Sequence, residues 1–227
     1  MAGLGTNCAM YRAVLILCGF LTASPALACD TALLLAVDVS GSIDPDEYLL
    51  QTSGLADALQ DPEIADALVA GKMSLALMHW SGVGYQRLSL PWTAMLTPAD
   101  VARFAQATRK IARPRDYTDT AIGGAIRFSL AQFAAVPECR HAVIDISGDG
   151  EENSGLNLPA ARAEAAAAGV TINAIAIEVD NTSTALSSYF RRFVITRDGF
   201  VVTAQGLSDY PRAIQTKLQR EVIKPVF

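Results

Sequence analysis

Asp38, Ser40 and Ser42 stand in one tight run, Asp38-Val39-Ser40-Gly41-Ser42, directly behind the apolar stretch Leu33-Leu34-Leu35-Ala36-Val37. One carboxylate and two hydroxyls form an oxygen-only donor set, which suits a hard divalent cation. An apolar run that ends in such a loop reads as a buried strand, and open α/β sheets bind their ligands at the carboxyl ends of their strands. Two further segments carry the same residue types. Tyr117-Thr118-Asp119-Thr120-Ala121 leads into a helical stretch, and Val143-Ile144-Asp145-Ile146-Ser147-Gly148-Asp149-Gly150 is an apolar run that ends in a glycine-flanked acid. Brought to one rim, the three segments assemble two carboxylates and three hydroxyls. Each segment alone has a plainer reading: a turn for the first, a helix cap for Thr120 and a turn for Asp149-Gly150.

The elements that position these loops follow from periodicity. Pro45 to about Leu59 has helical spacing behind an Asp44 cap, and Thr97-Pro98-Ala99-Asp100 opens a second helix, running to about Ile111, with the spacing of a capping box. Met73–Trp80 and Arg87–Trp92 read as strands, joined through Ser81-Gly82-Val83-Gly84 as a hairpin. Helices are expected over Ala121 to about Ala134, Pro159–Ala168 and Asp209 to about Val222. Strands are expected over Ala142–Ser147, Val170–Ile177 and Phe200–Thr203. Alternating strands and helices predict an α/β fold, a three-layer, doubly wound and mostly parallel sheet with one antiparallel edge strand.

The chain has 227 residues and a net charge of −5, which offers no basic face to a phosphate backbone, so nucleic acid is not an expected partner. Arg12 precedes the short apolar run Ala13–Leu21, and Ala26-Leu27-Ala28 then supplies small residues for cleavage. We therefore expect residues 1–28 to be a signal peptide and residues 29–227 to be one exported domain, periplasmic or secreted, with no stable membrane span after cleavage. An uncleaved anchor and a lipoprotein acylated at Cys29 are the alternatives. Cys8 and Cys18 leave with the leader, so Cys29 and Cys139 remain as a disulfide candidate. Cys29 lies nine residues before Asp38 and Cys139 ten before Asp149. On neighbouring parallel strands, both sulfurs share one end of the sheet and both acids the other.

The two histidines, His79 and His141, have no second histidine at ligand spacing, which argues against zinc. Trp80 and Trp92 are expected to pack. No Gly-x-Ser-x-Gly elbow and no phosphate-cradling Gly-x-x-x-x-Gly-Lys occurs.

The three segments together resemble the von Willebrand factor type A family, whose metal-ion-dependent adhesion site (MIDAS) has an Asp-x-Ser-x-Ser loop, a threonine from a second loop and an aspartate from a third. Asp38, Ser40 and Ser42 match the first loop, and Asp149-Gly150 matches the third. For the threonine, the small-aliphatic pair Ala125-Ile126 points back to Thr120, with Thr118 as the alternative. More narrowly, the chain resembles a group of bacterial exported proteins of this type, the DUF1194-like ones. The resemblance implies an octahedral Mg²⁺ or Mn²⁺ held by Asp38, Ser40, Ser42, Thr120 and Asp149, with a coordination position left for a carboxylate of a protein partner. Asp145 is a candidate supporting residue behind the metal loop, or else a structural hydrogen-bonded carboxylate. Glu151, Glu152 and Asn153 border the third loop. A non-enzymatic binding module is the first expectation. Metal-assisted hydrolysis, with Asp145 or Glu151 as base, and a structural envelope protein with an empty site are the alternatives.

Overall fold

A computed structural model describes residues 1, 29–114, 119–178 and 185–223. Residues 2–28 of the expected signal peptide and the alternative threonine, Thr118, lie outside the described residues. Six strands form one sheet in the order β3-β2-β1-β4-β5-β6, built from β1 (Thr31–Asp38), β2 (Ser74–Trp80), β3 (Gln86–Ala94), β4 (His141–Gly148), β5 (Val170–Glu178) and β6 (Val201–Gln205). All pairings are parallel except β2 with β3. The expected antiparallel edge is therefore present.

Every residue of β1 is buried, because helices cover both faces of the sheet. Leu33, Leu35 and Val37 face one core, shared with α1 (Pro45–Leu59), α2 (Pro62–Ala70), α3 (Pro98–Lys110) and α7 (Tyr210–Val222). Leu34 and Ala36 face the other, shared with α4 (Ile122–Gln132), α5 (Leu158–Ala167), α6 (Ala185–Tyr189) and a π-helical turn at Phe190–Val194. Alternation along a strand thus serves two cores at once, and a continuous apolar run is the pattern it requires. Among the described residues no helix is long and apolar enough to cross a membrane.

Local signals set most boundaries. Asp44 caps α1 and Thr97 caps α3, each in a reciprocal capping box with the third helical residue, Glu47 or Asp100. Gly169, at φ +70°, ends α5 in the left-handed conformation that favours glycine. Three elements were not expected. The helix α2 starts behind Asp61-Pro62, a cap-and-proline signal that the sequence reading passed over. The short α6 and its π turn are too brief and irregular for periodicity to reveal.

Strand β1 sits where the order of connections reverses, between β2 and β4. Its pairing with β4 runs from Thr31 opposite His141 to Val37 opposite Ser147. The same offset of 110 residues joins Cys29 to Cys139 in a disulfide at the strand entrances. Closing a loop of this length restricts the unfolded chain, so Cys29→Ser with Cys139→Ser should lower unfolding stability by about 4 kcal/mol. Chemical denaturation of the oxidised protein and the double variant measures the loss.

Candidate metal centre

The switch between β1 and β4 opens a crevice at the carboxyl rim, and the first loop drops into it. Asp38 is 0% exposed and Ser40 only 1%, whereas Ser42 is exposed and Asp149 half-buried. The site is therefore a polar well, buried at its base and open at its lip. Asp38 Oδ1 accepts the Ser40 amide at 2.8 Å, a turn bond made by one carboxylate oxygen. Asp38 Oδ2 is buried and has no hydrogen-bond partner. Ser40 and Ser42 hydroxyls lie 3.2 Å apart, and the Ser42 hydroxyl donates to Asp149 Oδ1 at 2.8 Å. A Cβ on Gly148 would stand 3.1 Å from Asp38 Oδ2 and 3.4 Å from the Trp80 ring, so glycine lets β4 close against the carboxylate.

Thr120 is 6% exposed, and its hydroxyl flanks the Asp149-Gly150 turn, 3.5 Å from where a Gly150 Cβ would be. Tertiary hydrogen bonds hold it there. Asn153 Oδ1 accepts the Thr120 amide at 2.8 Å, and the Asn153 amide donates to the Thr120 carbonyl at 3.0 Å. On the other side, Ser81 takes the Ala121 amide on its carbonyl and donates its hydroxyl to the Asp119 carbonyl. Glu152 accepts the Gly123 amide at 2.9 Å, at the start of α4. The residue at the cap of α4 is Ala121, with no side-chain cap bond, so Thr120 is not spent on capping. Asn153 and Glu152, read from sequence as rim residues, position the second loop. Glu151 is exposed.

Asp145 points to the opposite side of β4 from Ile144 and Ile146 and meets α7. Its Oδ1 lies 2.6 Å from Lys217 Nζ, and the same ammonium lies 2.6 Å from Glu221 Oε1. Lys217 is 0% exposed. Asp145, read from sequence as a support for the metal loop, a structural carboxylate or a hydrolytic base, is thus placed in an ion pair with α7. Lys217 was missed, although its place on the apolar stripe with Ala213, Ile214 and Leu218 is the available signal.

The donor set fits a hard cation: it is all oxygen, mostly hydroxyl, and one buried carboxylate oxygen has no partner. Among the described residues no three His, Cys, Asp or Glu side chains group closely enough to hold a metal, so any cation in the well must draw on the hydroxyls. Asp38, Ser40, Ser42, Thr120 and Asp149 are the residues that would hold it. His79 is instead held between the Tyr48 hydroxyl and Ser89.

Burial, and secondarily the nearby Asp149 charge, push the Asp38 carboxyl up to about 7, while burial also raises Asp149. The folded state therefore retains a proton that the unfolded chain releases near pH 4, and metal-free stability falls as pH rises from about 4 to 7. In chelator, Asp38→Asn should flatten this slope, an effect on the order of 4 kcal/mol at full ionisation. Denaturant titrations between pH 4 and 8 test it; equal slopes for wild type and variant would refute it. Burial likewise raises Asp145 and carries Glu221 up to about 7, against the opposing pull of Lys217. Removing the ammonium leaves two buried carboxyls without a cation. Lys217→Met should cost about 3–5 kcal/mol at pH 8 and less at pH 5, where the carboxyls protonate; the same titrations read it.

A family profile described as "Protein of unknown function (DUF1194)" matches residues 28–226. Comparison with curated proteins gave no match. Among solved structures, the chain is similar to proximal thread matrix protein 1 from the mussel byssus, in a form with a zinc-occupied MIDAS motif, at TM-score 0.63 and 16% identity, covering 86% of this chain and 49% of that one. It is similar to a von Willebrand factor type A protein from Catenulispora acidiphila at TM-score 0.63 and 16% identity, covering 88% and 44%. It is also similar to the pilus adhesin SpaC from Lactobacillus rhamnosus GG at TM-score 0.62 and 14% identity, covering 87% and 31%. The chain thus spans about half the length, or less, of these structures.

Proposed function

The chain belongs to the DUF1194 family and has the von Willebrand factor type A fold, and from this premise we propose that it is an exported, non-enzymatic protein-binding module that presents Mg²⁺ or Mn²⁺ to an acidic group of a partner. The observation that carries the reading is the unpartnered, buried Asp38 Oδ2 at the base of the well, beneath the Ser40, Ser42 and Asp149 oxygens. When bound, the cation supplies an electrophilic position for an incoming carboxylate. Asp38 anchors the base, and its Oδ1 is held by the Ser40 amide so that Oδ2 keeps its aim. Ser40, Ser42 and Thr120 add neutral oxygens, which leave more positive charge for the partner than further carboxylates would. Asp149 and Ser42, at the lip, border the place where the partner arrives. The adhesin and matrix-protein neighbours support a binding role, and the zinc-occupied neighbour supports a divalent ion.

For hydrolysis the site would need a general base. Asp145, one of two candidates, is engaged with Lys217 on the α7 side of the sheet. Export is supported by the disulfide, which belongs to oxidising compartments.

Thermal unfolding with saturating Mg²⁺ or Mn²⁺ against chelator should show stabilisation of about 2.7 kcal/mol at a hundredfold excess over the dissociation constant. Asp38→Ala should abolish it, and an identical response in the variant would remove the metal claim. In pulldowns from envelope extract, partners should be recovered with Mg²⁺ and lost with chelator or in Asp149→Ala. Equal recovery under all conditions would count against metal-dependent adhesion.

A further inference from the structure

A second polar cavity, of about 280 Å³, lies beside the metal rim. Edge strand β3 supplies Arg87 and Ser89, the chain leaving α3 supplies Ile111 and Arg113, and His79 of β2 stands behind them. Strand direction sets its place. The start of β3 is at the rim, where Gln86 pairs with Trp80, and α3 returns toward that rim. Arg113 therefore comes up beside the first metal loop, where its Nη2 donates to the carbonyl of Ile43, the residue after Ser42.

A chain of net charge −5 has brought two guanidinium groups to this one cavity. Among the described residues neither Arg87 nor Arg113 forms a salt bridge with a carboxylate, and Arg113 Nε is buried without an acceptor. Guanidinium donors in a partly enclosed site suit a planar carboxylate, which they can hold through two parallel bonds.

The wall behind them is neutral. The Tyr48 hydroxyl donates to the Ile111 carbonyl at 3.2 Å, so toward His79 Nε2, at 3.1 Å, it accepts. His79 Nδ1 is then the acceptor for the Ser89 hydroxyl at 2.7 Å. Burial, with Arg87 adding repulsion, pushes the His79 imidazole down to about 4, so it is uncharged at neutral pH. Both imidazole nitrogens are engaged and the Ser89 proton is committed. That leaves the arginines as the groups that select a ligand.

We propose that this cavity receives a carboxylate of an acidic polypeptide partner, held by Arg87 and Arg113, while a neighbouring acid of the same partner reaches the rim formed by Asp38, Ser42 and Asp149. The second half rests on the metal-dependent reading; the first does not, because the arginine cavity is complete without a cation. The Arg113–Ile43 contact puts the two acid-receiving positions one side chain and a short loop apart, a span for one extended acidic segment. A small oxyanion would fill only one of them.

Short blocked peptides with one aspartate, or with two at varied spacing, serve as probes on the full chain, with inorganic sulfate as control. In chelator, the one-aspartate peptide should shift the Arg113 Nε–H resonance. Arg87→Ala should weaken that binding roughly fivefold or more, and Arg87→Lys should restore part of it. With Mg²⁺, the two-aspartate peptide of best spacing should bind at least about tenfold tighter than the single one, and lose that gain in Arg87→Ala or chelator. Arg87-dependent binding in chelator with no gain from Mg²⁺ would support the arginine site and overturn the metal reading, so the two fail separately. Absence of both the resonance shift and the Arg87 effect would overturn the proposal. So would sulfate binding as tightly as peptide.

Discussion

Parallel pairing of β1 with β4 at an offset of 110 residues is the constraint from which the site and its supports follow. Side chains alternate across a strand, so a slip of one residue would turn every β4 side chain to the other face. Asp145 would leave Lys217 and enter the apolar core of α4 and α5. Gly148 would no longer sit against Asp38, and a bulkier residue there would press on the carboxylate. The disulfide at the strand entrances and the acids at the strand exits share this one register, so the covalent link at one end bears on geometry at the other.

The same sheet treats buried carboxylates in two ways. On the α7 side, Asp145 and Glu221 share the Lys217 ammonium, and Asn173 adds a hydrogen bond to Glu221 Oε1 at 2.7 Å. Buried charge is tolerated there because the chain supplies the opposite charge. At the rim, Asp38 and Asp149 receive hydroxyl and amide hydrogens, and among the described residues no Lys, Arg or His ion pair reaches them. Within the chain, amide and hydroxyl hydrogens are what offset their ionised forms. The contrast lies in the nearby charge, since Asp145 Oδ2 and Glu221 Oε2 are also buried without a hydrogen-bond partner.

Much of this was legible in the residues. Strand β1 and its loop, the hairpin through Ser81–Gly84, and the helices behind Asp44 and Thr97 follow from short-range chemistry that a reader can count along the chain. The cysteine spacing also carried long-range information, because distances of nine residues from Cys29 to Asp38 and ten from Cys139 to Asp149 are consistent with neighbouring parallel strands. The contrary cases share a cause. Nothing local distinguishes Lys217 from a solvated lysine until its helix face is counted as apolar, and nothing local gives Asn153 its hold on Thr120, which spans 33 residues.

By itself, then, the sequence determined the kinds of atoms at the site and the rim they would occupy, since loop chemistry and strand periodicity are properties of adjacent residues. Tertiary structure decided which oxygens are satisfied and which are left unpaired. Ser42 finds Asp149 across 107 residues, Asp145 turns to Lys217, and Asp38 Oδ2 is enclosed without a partner. Hydrogen bonding and desolvation depend on what lies within a few ångströms, and only the folded sheet brings those groups together.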